Sequence, residues 1–205
     1  MDIVAVIDFE TTGLSPAQGD RTTEIAAVIV EDGKIVDRYQ SLMNAGVRIP
    51  SFIESLTGIT NSMIRSAPSA SQVMAEVASF VGDIPLVAHN ASFDSKFWDA
   101  ELAHINQRRR QEFACSLLLA RRILPQAPSH KLGDLVQFAN LPKAGRAHRA
   151  LADAEMAASL LQHLEELLCT RFRVKQVTHE LLRKIQGTPK AKLEQCLERH
   201  QQSRC

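Results

Sequence analysis

The amino-acid sequence predicts an α/β fold, with a mixed central sheet and helices on both of its faces. Residues 3–8, 23–31 and 34–42 each have the composition of a strand, and Asp32-Gly33 between the last two is a hairpin signal. The chain is therefore expected to begin with three antiparallel strands. Further along, helical patterns alternate with two short apolar runs, which predicts parallel strands and makes the sheet a mixed one.

The elements that follow the three strands are predicted from periodicity and turn residues. Apolar residues at Val73, Val77 and Phe80-Val81 indicate an amphipathic helix, and the apolar run 85–89 indicates a buried strand. The expected helices are 51–56, 60–65, 70–81, 92–105, 117–124, 131–139 and 149–168, and a fifth strand is expected at 112–115. Two more helices, broken at Gly187-Thr188-Pro189, are expected beyond residue 170.

Length and charge divide the chain into a domain and a tail. A chain of 205 residues is long enough for one domain with a proper core. We expect a domain over 1–169 and a basic helical C-terminal extension over 170–205. The extension carries nine Lys and Arg against three Asp and Glu, whereas the domain carries 15 against 20. A basic tail indicates contact with nucleic acid or an acidic partner, and a solvated pair of helices is the equally simple alternative.

The sequence has no pattern of a targeting segment or a membrane span. Met1 leads directly into a strand pattern, and no apolar run approaches the roughly 20 residues that cross a bilayer. The four cysteines have neither C-x-x-C nor zinc-ligand spacing. We therefore expect a cytoplasmic protein with reduced thiols, of which Cys115 is buried.

Three short segments, far apart in the sequence, supply four carboxylates and one histidine. They are IDFETTG at 7–13, HNASFD at 89–94 and HRALAD at 148–153. Asp8 and Glu10 are two residues apart at the end of the first strand, so their side chains share one face while Phe9 points to the other. Taken alone, an exposed carboxylate pair without a function explains Asp8 and Glu10 equally well.

Asp94, Asp153 and His148 each have a structural explanation when considered singly. Asp94 lies at the start of a helix, where aspartate is favoured as a cap. Asp153 falls in the first turns of the long helix and His148 on the loop before it, a separation of five that is poor for two ligands on one helical face. We therefore expect Asp153 to reach a metal ion, and His148 to face the substrate and accept a proton from water. A histidine on a surface loop is the alternative.

Together, Asp8, Glu10, Asp94 and Asp153 indicate a metal site. Four carboxylates cannot share a small space without cations that neutralise them, and a pair of Mg²⁺ or Mn²⁺ ions is the natural solution. Such a pair is suited to the cleavage of phosphodiester bonds.

The segments IDFETTGL, VAHNASFD and AHRALADAEMAA resemble the three exonuclease motifs of the DEDD family, histidine branch. That family includes the epsilon subunit of bacterial DNA polymerase III and exonuclease X, and the resemblance covers about residues 1–168. It implies a ribonuclease H-like fold. It also implies that the four carboxylates are the metal ligands and that His148 is the general base.

The resemblance also implies substrate contacts. Thr11, Thr12 and Leu14 match positions that hold the terminal nucleotide in the family, and Asn90 matches a supporting position beside the third carboxylate. The segment LTGIT at 56–60 resembles a further motif, in which many members have His where this chain has Thr57. An imidazole that contacts the substrate is therefore absent at that position.

The activity that the resemblance implies is 3′→5′ hydrolysis at nucleic-acid 3′ ends, with two divalent ions, Mg²⁺ or Mn²⁺, and release of nucleoside 5′-monophosphates. The similarity of the motifs to those of the epsilon subunit and exonuclease X favours DNA, as in proofreading or repair. Single strands are expected in the site because an end must be splayed from any partner strand. An exoribonuclease of the ribonuclease T or oligoribonuclease type is the first alternative, since the same five residues serve both substrates. A polymerase-associated accessory or binding subunit, docked through residues 170–205, is the second.

Overall fold

A five-stranded mixed sheet forms the centre of the protein, in a computed structural model that describes residues 2–145 and 148–202. The strands are β1 (Val4–Thr11), β2 (Thr22–Glu31), β3 (Lys34–Leu42), β4 (Leu86–Ala88) and β5 (Phe113–Cys115). Their order is β3-β2-β1-β4-β5. β1, β2 and β3 pair antiparallel, whereas β4 pairs parallel to β1 and to β5. The predicted α/β fold with a mixed sheet is confirmed.

The helices cover both faces of the sheet and connect its parallel strands. They are α1 (Ser51–Thr57), α2 (Asn61–Arg65), α3 (Ala70–Val81), α4 (Ala91–His104), α5 (Ser116–Ile123), α6 (Leu132–Phe138), α7 (Ala150–Thr170), α8 (His179–Gly187) and α9 (Leu193–Gln202). Short 3₁₀ turns occur at Pro16–Gln18 and Lys190–Lys192. No helix in the described part of the chain is long and apolar enough to cross a membrane.

Alternation along β1 divides the core into two layers. Val4 and Val6 pack into a cluster with α5 and α7 on one face of the sheet. Phe9 packs into the other cluster with α3 and α4, where its ring meets Trp98 edge-on at 6.2 Å between centroids. Because successive strand side chains alternate, Asp8 and Glu10 share the face of Val4 and Val6. The side-chain alternation expected at the end of the first strand is therefore present.

The C-terminal helices pack on the rest of the protein. Leu181, Leu182 and Ile185 of α8 are fully buried in the same cluster as α5 and α7. The Arg122 guanidinium on α5 donates to the carbonyl oxygens of Thr188 at 2.8 Å and Gln186 at 3.2 Å. The two expected helices and the break between them are present. The domain boundary at 169 stays a prediction.

Cysteines are free thiols where the structure describes them. Cys115 is buried at the end of β5, as expected, while Cys169 is exposed and Cys196 intermediate. Cys205 lies outside the described residues.

Candidate active site

The carboxylates are brought together at one edge of the sheet, where β1 and β4 end. β1 and β4 run parallel, with Ala5 beside Leu86, so their carboxyl ends meet at the same edge. Asp8 and Glu10 stand at the end of β1, and Asp94 lies in the first turn of α4, which follows β4. Asp153 lies in the first turn of α7, which packs against β1 and β2. Binding sites of α/β sheets commonly occupy this edge.

The four carboxylates disfavour one another's charge. Burial raises the pKa of Asp8 well above its ordinary value, and the charges of Asp94 and Asp153 raise it further. Burial and, to a smaller extent, the charge of Asp153 raise the pKa of Glu10 to about 8. The pKa of Asp94, which is only 3% exposed, is raised by burial as well. As a set, these groups are costly to keep ionised unless a cation lies among them.

His148 and Asp153 are linked through the backbone. The backbone N–H of His148 donates to Asp153 Oδ2 at 3.0 Å. Burial raises the pKa of Asp153, and this hydrogen bond acts in the opposite direction. The His148 side chain is exposed, and its backbone is in the left-handed region with φ 60°. His148 therefore stands at the solvent side of the cluster, on the loop where the sequence predicted it.

Glu10, His148 and Asp153 are spaced as a metal-binding group. Each offers a ligand atom, and these atoms all lie within 4.8 Å of one another. Carboxylate oxygens are the ligands that suit Mg²⁺ or Mn²⁺. The cation that lowers the pKa of Glu10 is Arg149, and its guanidinium is already paired with Glu24. The residues present therefore fit a divalent cation at this edge.

A small pocket of about 230 Å³ lies beside the carboxylates, and we call it the terminal pocket. Its walls include Leu14, Leu56 and Phe93, and Asp8, Glu10, Asp94 and Asp153 line it too. Leu14 is 78% exposed and Leu56 48%. Large apolar side chains that protrude at the rim of a polar pocket are typical of ligand contact.

Two threonines line the terminal pocket, and their hydroxyl groups form hydrogen bonds inside the protein. Thr57 is 1% exposed and lines the pocket, but its Oγ1 donates to the Ile53 carbonyl at 2.9 Å and accepts from the Ile59 N–H at 3.0 Å. Thr11, which also lines it, donates to the Gly13 carbonyl at 2.6 Å. These two side chains can shape the wall, and their substrate contacts stay predictions.

The turn after β1 is fixed by polar contacts. Thr12 Oγ1 accepts from the Arg21 N–H at 3.0 Å, and the Thr12 N–H donates to the Arg21 carbonyl at 2.8 Å. Thr12 is therefore buried in the turn and holds Leu14 in place through the backbone. A Cβ at Gly13 would lie 2.3 Å from Asp20 Oδ1, so a larger residue there would displace the carboxylate that accepts from the Ser15 N–H at 2.9 Å.

Asn90 and His89 connect β4 to α4 near the carboxylates. Asn90 is exposed, with φ 70°, and lines a second cavity beside Asp8 and Asp153. His89 has both ring nitrogens engaged, Nε2 with the His130 carbonyl at 3.0 Å and Nδ1 with Ser116 Oγ at 2.9 Å. Burial lowers the pKa of His89 to about 4, so the ring is neutral at pH 7. Because a carbonyl can only accept, Nε2 carries the proton and Nδ1 accepts from Ser116.

Comparison with known proteins identifies the family. Residues 5–161 match a protein family described as Exonuclease. The chain belongs to this exonuclease family. It is 37% identical over 168 residues to the DNA polymerase III PolC-type of Oceanobacillus iheyensis, which covers 82% of this chain and 12% of that protein. It is 38% identical over 164 residues to the 3'-5' exonuclease DinG of Bacillus subtilis, which covers 79% of this chain and 18% of that protein.

Among solved structures, exonuclease X in complex with 5′ overhanging duplex DNA is similar over its whole length. The TM-score is 0.71 at 28% identity, and the match covers 90% of this chain and 99% of that one. The predicted ribonuclease H-like fold and membership of the DEDD exonucleases are confirmed. The chain is therefore a hydrolase, a nuclease, and it spans less than a fifth of the length of the two curated relatives.

Glu24 is a residue of this exonuclease that sequence reasoning missed. It is fully buried on β2, directly beside Glu10 in the strand register. It accepts from Arg149 Nη2 at 2.7 Å and Nε at 3.0 Å, and from the Ala150 N–H at 3.0 Å. Glu24 therefore fixes the start of α7, which carries Asp153. A glutamate in the strand pattern directly before the apolar run 25–30 of β2 is the signal that could have revealed it.

Glu101 is the second missed residue of this nuclease, and it acts on the turn after β1. It is 2% exposed on α4 and pairs through both carboxylate oxygens with Arg21, at 2.9 and 2.8 Å. Burial raises the pKa of Glu101, but the hydrogen bonds and charge of Arg21 outweigh it and hold the pKa below its ordinary value. The pair fastens the turn that carries Thr12 to α4.

Proposed function

We propose that the protein is a metal-dependent 3′→5′ exonuclease that removes nucleotides from single-stranded 3′ ends, DNA in preference to RNA, and releases nucleoside 5′-monophosphates. The observation that carries the proposal is the convergence of four carboxylates and His148 beside a pocket of limited volume. The relatives are consistent with DNA, since they are a DNA polymerase, a 3'-5' exonuclease and an exonuclease in complex with DNA.

Asp8, Glu10, Asp94 and Asp153 are the proposed ligands of two divalent ions. When bound, such ions polarise the scissile phosphate and lower the pKa of bound water. The carboxylates supply the negative charge and the fixed geometry that the ions need. Glu24 and the Arg149 guanidinium keep Glu10 and the first turn of α7 in position.

His148 is the proposed general base. Its side chain is exposed at the edge of the cluster, with a ring nitrogen within 4.8 Å of ligand atoms of Glu10 and Asp153. From this position it can accept the proton of an attacking water and release it to solvent. The hydrogen bond from its backbone N–H to Asp153 keeps it over the cluster.

The terminal pocket is the proposed site of the last nucleoside. Leu14 and Leu56 are its proposed apolar walls, and Thr11, Thr12 and Thr57 hold the surrounding backbone through their internal hydrogen bonds. Asn90 directly precedes α4, which carries Asp94, and its backbone carbonyl accepts from the Phe93 N–H at 2.8 Å. A pocket of about 230 Å³ limits the enzyme to one nucleotide at a free end, and its partner strand must be separated first.

A contact between residues 170–205 and nucleic acid or a polymerase is a further proposal. It is supported by the exposed Lys190 and Lys192 and by the PolC-type relative. Because Leu181 and Ile185 of α8 are part of the core, deletion of the segment would expose the apolar residues of α5 and β5 that they cover. Lys190→Glu with Lys192→Glu is therefore the appropriate test. It should weaken binding to the partner while activity on free ends persists, and unchanged binding would reject the contact.

The proposed function is tested with 5′-labelled single-stranded DNA and RNA of one sequence, in Mg²⁺ or Mn²⁺. We expect a ladder that shortens from the 3′ end on DNA, and none with EDTA or with Asp8→Ala. The matched control is Asp83→Ala, which removes an exposed aspartate from the loop before β4, at the opposite edge of the sheet. Its ladder should equal that of the native chain.

Each other outcome of this experiment has a definite meaning. A ladder on RNA alone would establish the ribonuclease alternative. Near-normal activity of Asp8→Ala would overturn the metal-site assignment, and the absence of a ladder on both substrates would favour a binding subunit.

A further inference from the structure

A second and larger cavity opens on the other side of the carboxylates, and we call it the α5–α6 groove. Its volume is about 860 Å³, against about 230 Å³ for the terminal pocket. Asp8, His148 and Asp153 line both cavities, so the reacting centre lies between them. From there the groove extends to Arg121 on α5 and to Lys131 at the start of α6.

Two cations in the groove are available to a ligand. Arg121 and Lys131 are both exposed, and neither forms a salt bridge with any residue in 2–145 or 148–202. Arg122, the next residue on α5, is instead occupied by the carbonyls of Thr188 and Gln186. Asp134 is the acidic residue of the groove outside the reacting centre. Two unpaired cations on one open wall are typical of a surface that binds phosphates.

The floor of the groove is rigid. The neutral His89 ring joins the end of β4 to the loop before α6, through the His130 carbonyl at 3.0 Å, and to α5, through Ser116 at 2.9 Å. The Lys131 N–H also donates to Ser129 Oγ at 3.3 Å. These hydrogen bonds tie α5 and the start of α6, which carry Arg121 and Lys131, to the end of β4 beside the carboxylates, as a binding site requires.

We propose that the α5–α6 groove binds the strand on the 5′ side of the scissile bond, with Arg121 and Lys131 as contacts to its phosphates. The inference rests on the proposed 3′→5′ activity. Hydrolysis at a 3′ end leaves one nucleotide beyond the scissile phosphate and the rest of the strand before it. The terminal pocket is limited to that one nucleotide, so the larger cavity, with Arg121 and Lys131 in its lining, takes the rest. Contacts to phosphates carry no sequence information, so binding in the groove is independent of sequence.

The test compares the native chain with Arg121→Ala/Lys131→Ala in two measurements. The first is binding of a fluorescent single-stranded oligonucleotide in Ca²⁺, by anisotropy, over a range of salt concentrations. The second is kcat/KM for the oligonucleotide and for p-nitrophenyl thymidine 5′-monophosphate in Mg²⁺ or Mn²⁺. The ester places a nucleoside in the terminal pocket but has no strand for the groove.

We expect the double variant to reduce the slope of log Kd against log salt by about 1.4, since each phosphate contact to a single strand accounts for about 0.7. We expect kcat/KM for the oligonucleotide to fall by roughly tenfold relative to that for the ester, mainly through KM. Arg121→Lys/Lys131→Arg should restore the slope. The matched control, Lys34→Ala/Arg110→Ala, removes exposed cations outside both cavities and should change neither measurement.

An unchanged slope, or an equal loss on both substrates, would overturn the proposal for the groove. Failure of the proposed function is a separate result, since the native chain would then hydrolyse neither substrate. Anisotropy would still measure whether the oligonucleotide binds in the groove.

Discussion

Glu24 and Glu101 are as deeply buried as Asp94, yet their surroundings are opposite. Glu24 accepts two hydrogen bonds from Arg149, and Glu101 accepts two from Arg21. The neighbours of Asp94 include the carboxylate of Asp8, and no salt bridge to Asp94 occurs in residues 2–145 and 148–202. Glu24 and Glu101, which hold the fold, are thus paired with arginines of the protein. The carboxylates of the site have no such partner, and bound cations would neutralise them.

The comparison predicts the largest effect at Asp8. Asp8→Asn removes a proposed metal ligand, so activity should fall by about 10⁴-fold or more, in keeping with the several kcal/mol that metal ions supply. The same change removes a charge that its neighbours disfavour, so thermal stability in EDTA should not decrease. An exonuclease assay and thermal unfolding in EDTA measure the two effects. A large loss of stability would show that Asp8, like Glu24 and Glu101, stabilises the fold.

His148 should have the next largest effect, and on activity alone. His148→Ala should lower kcat by on the order of 10²–10⁴-fold, the usual contribution of a positioned base. Because the side chain is exposed, the free energy of unfolding should change little. Steady-state kinetics at saturating substrate and metal, beside urea unfolding, measure both. Retention of more than a tenth of native kcat would exclude a role as general base.

Glu101 should show the reverse pattern. Glu101→Ala leaves the Arg21 guanidinium without its partner, so the free energy of unfolding should fall by about 3 kcal/mol, the low end for a buried pair because Arg21 is partly exposed. Urea unfolding measures this loss. Glu155→Ala, which breaks the exposed pair with Arg38, is the matched control and should cost less than about 1 kcal/mol. Equal losses would contradict the comparison.

Metal and pH should act together on the site carboxylates. The pKa of Glu10 in the folded protein is about 8, above its ordinary 4.5, so between these values the folded state binds more protons than the unfolded state. The contribution of Glu10 to stability in EDTA is therefore greatest below the lower value and is lost as pH rises through the higher one. Mg²⁺ should oppose the fall, by about 2.7 kcal/mol at roughly 100 times its Kd.

Thermal unfolding from pH 5 to pH 9, with and without Mg²⁺, checks this coupling. The stabilisation by Mg²⁺ should grow with pH and should be much smaller in Asp8→Asn. Stabilisation independent of pH would show that the ion binds away from these carboxylates.

Much of the fold could be predicted from the sequence because its signals are local. The Asp32-Gly33 turn, the apolar periodicity and the Ala-rich helix each act over a few residues, and the observed bounds of β3 and α3 match the predicted ones. The convergence of Asp8, Glu10 and Asp153 could be anticipated because strand alternation and helix starts fix where such residues point.

The residues that hold the site could not be predicted, because they act over long separations. Glu24 meets Arg149 across 125 positions and Arg21 meets Glu101 across 80, and each looks like an ordinary charged residue locally. The hydrogen bonds of the Thr57 hydroxyl to the backbone are a further feature that could not be predicted. They depend on how α1 ends, which the residue type does not reveal.

The left-handed backbone of His148 has a consequence for the evolution of this loop. At φ 60° a residue with a Cβ is sterically disfavoured and glycine is not, so His148→Gly should be more stable than His148→Ala by about 1 kcal/mol in urea unfolding. Selection for stability alone would favour glycine here, while activity favours histidine. A directed search for more heat-resistant variants that does not score catalysis should therefore drift toward inactive proteins at this position.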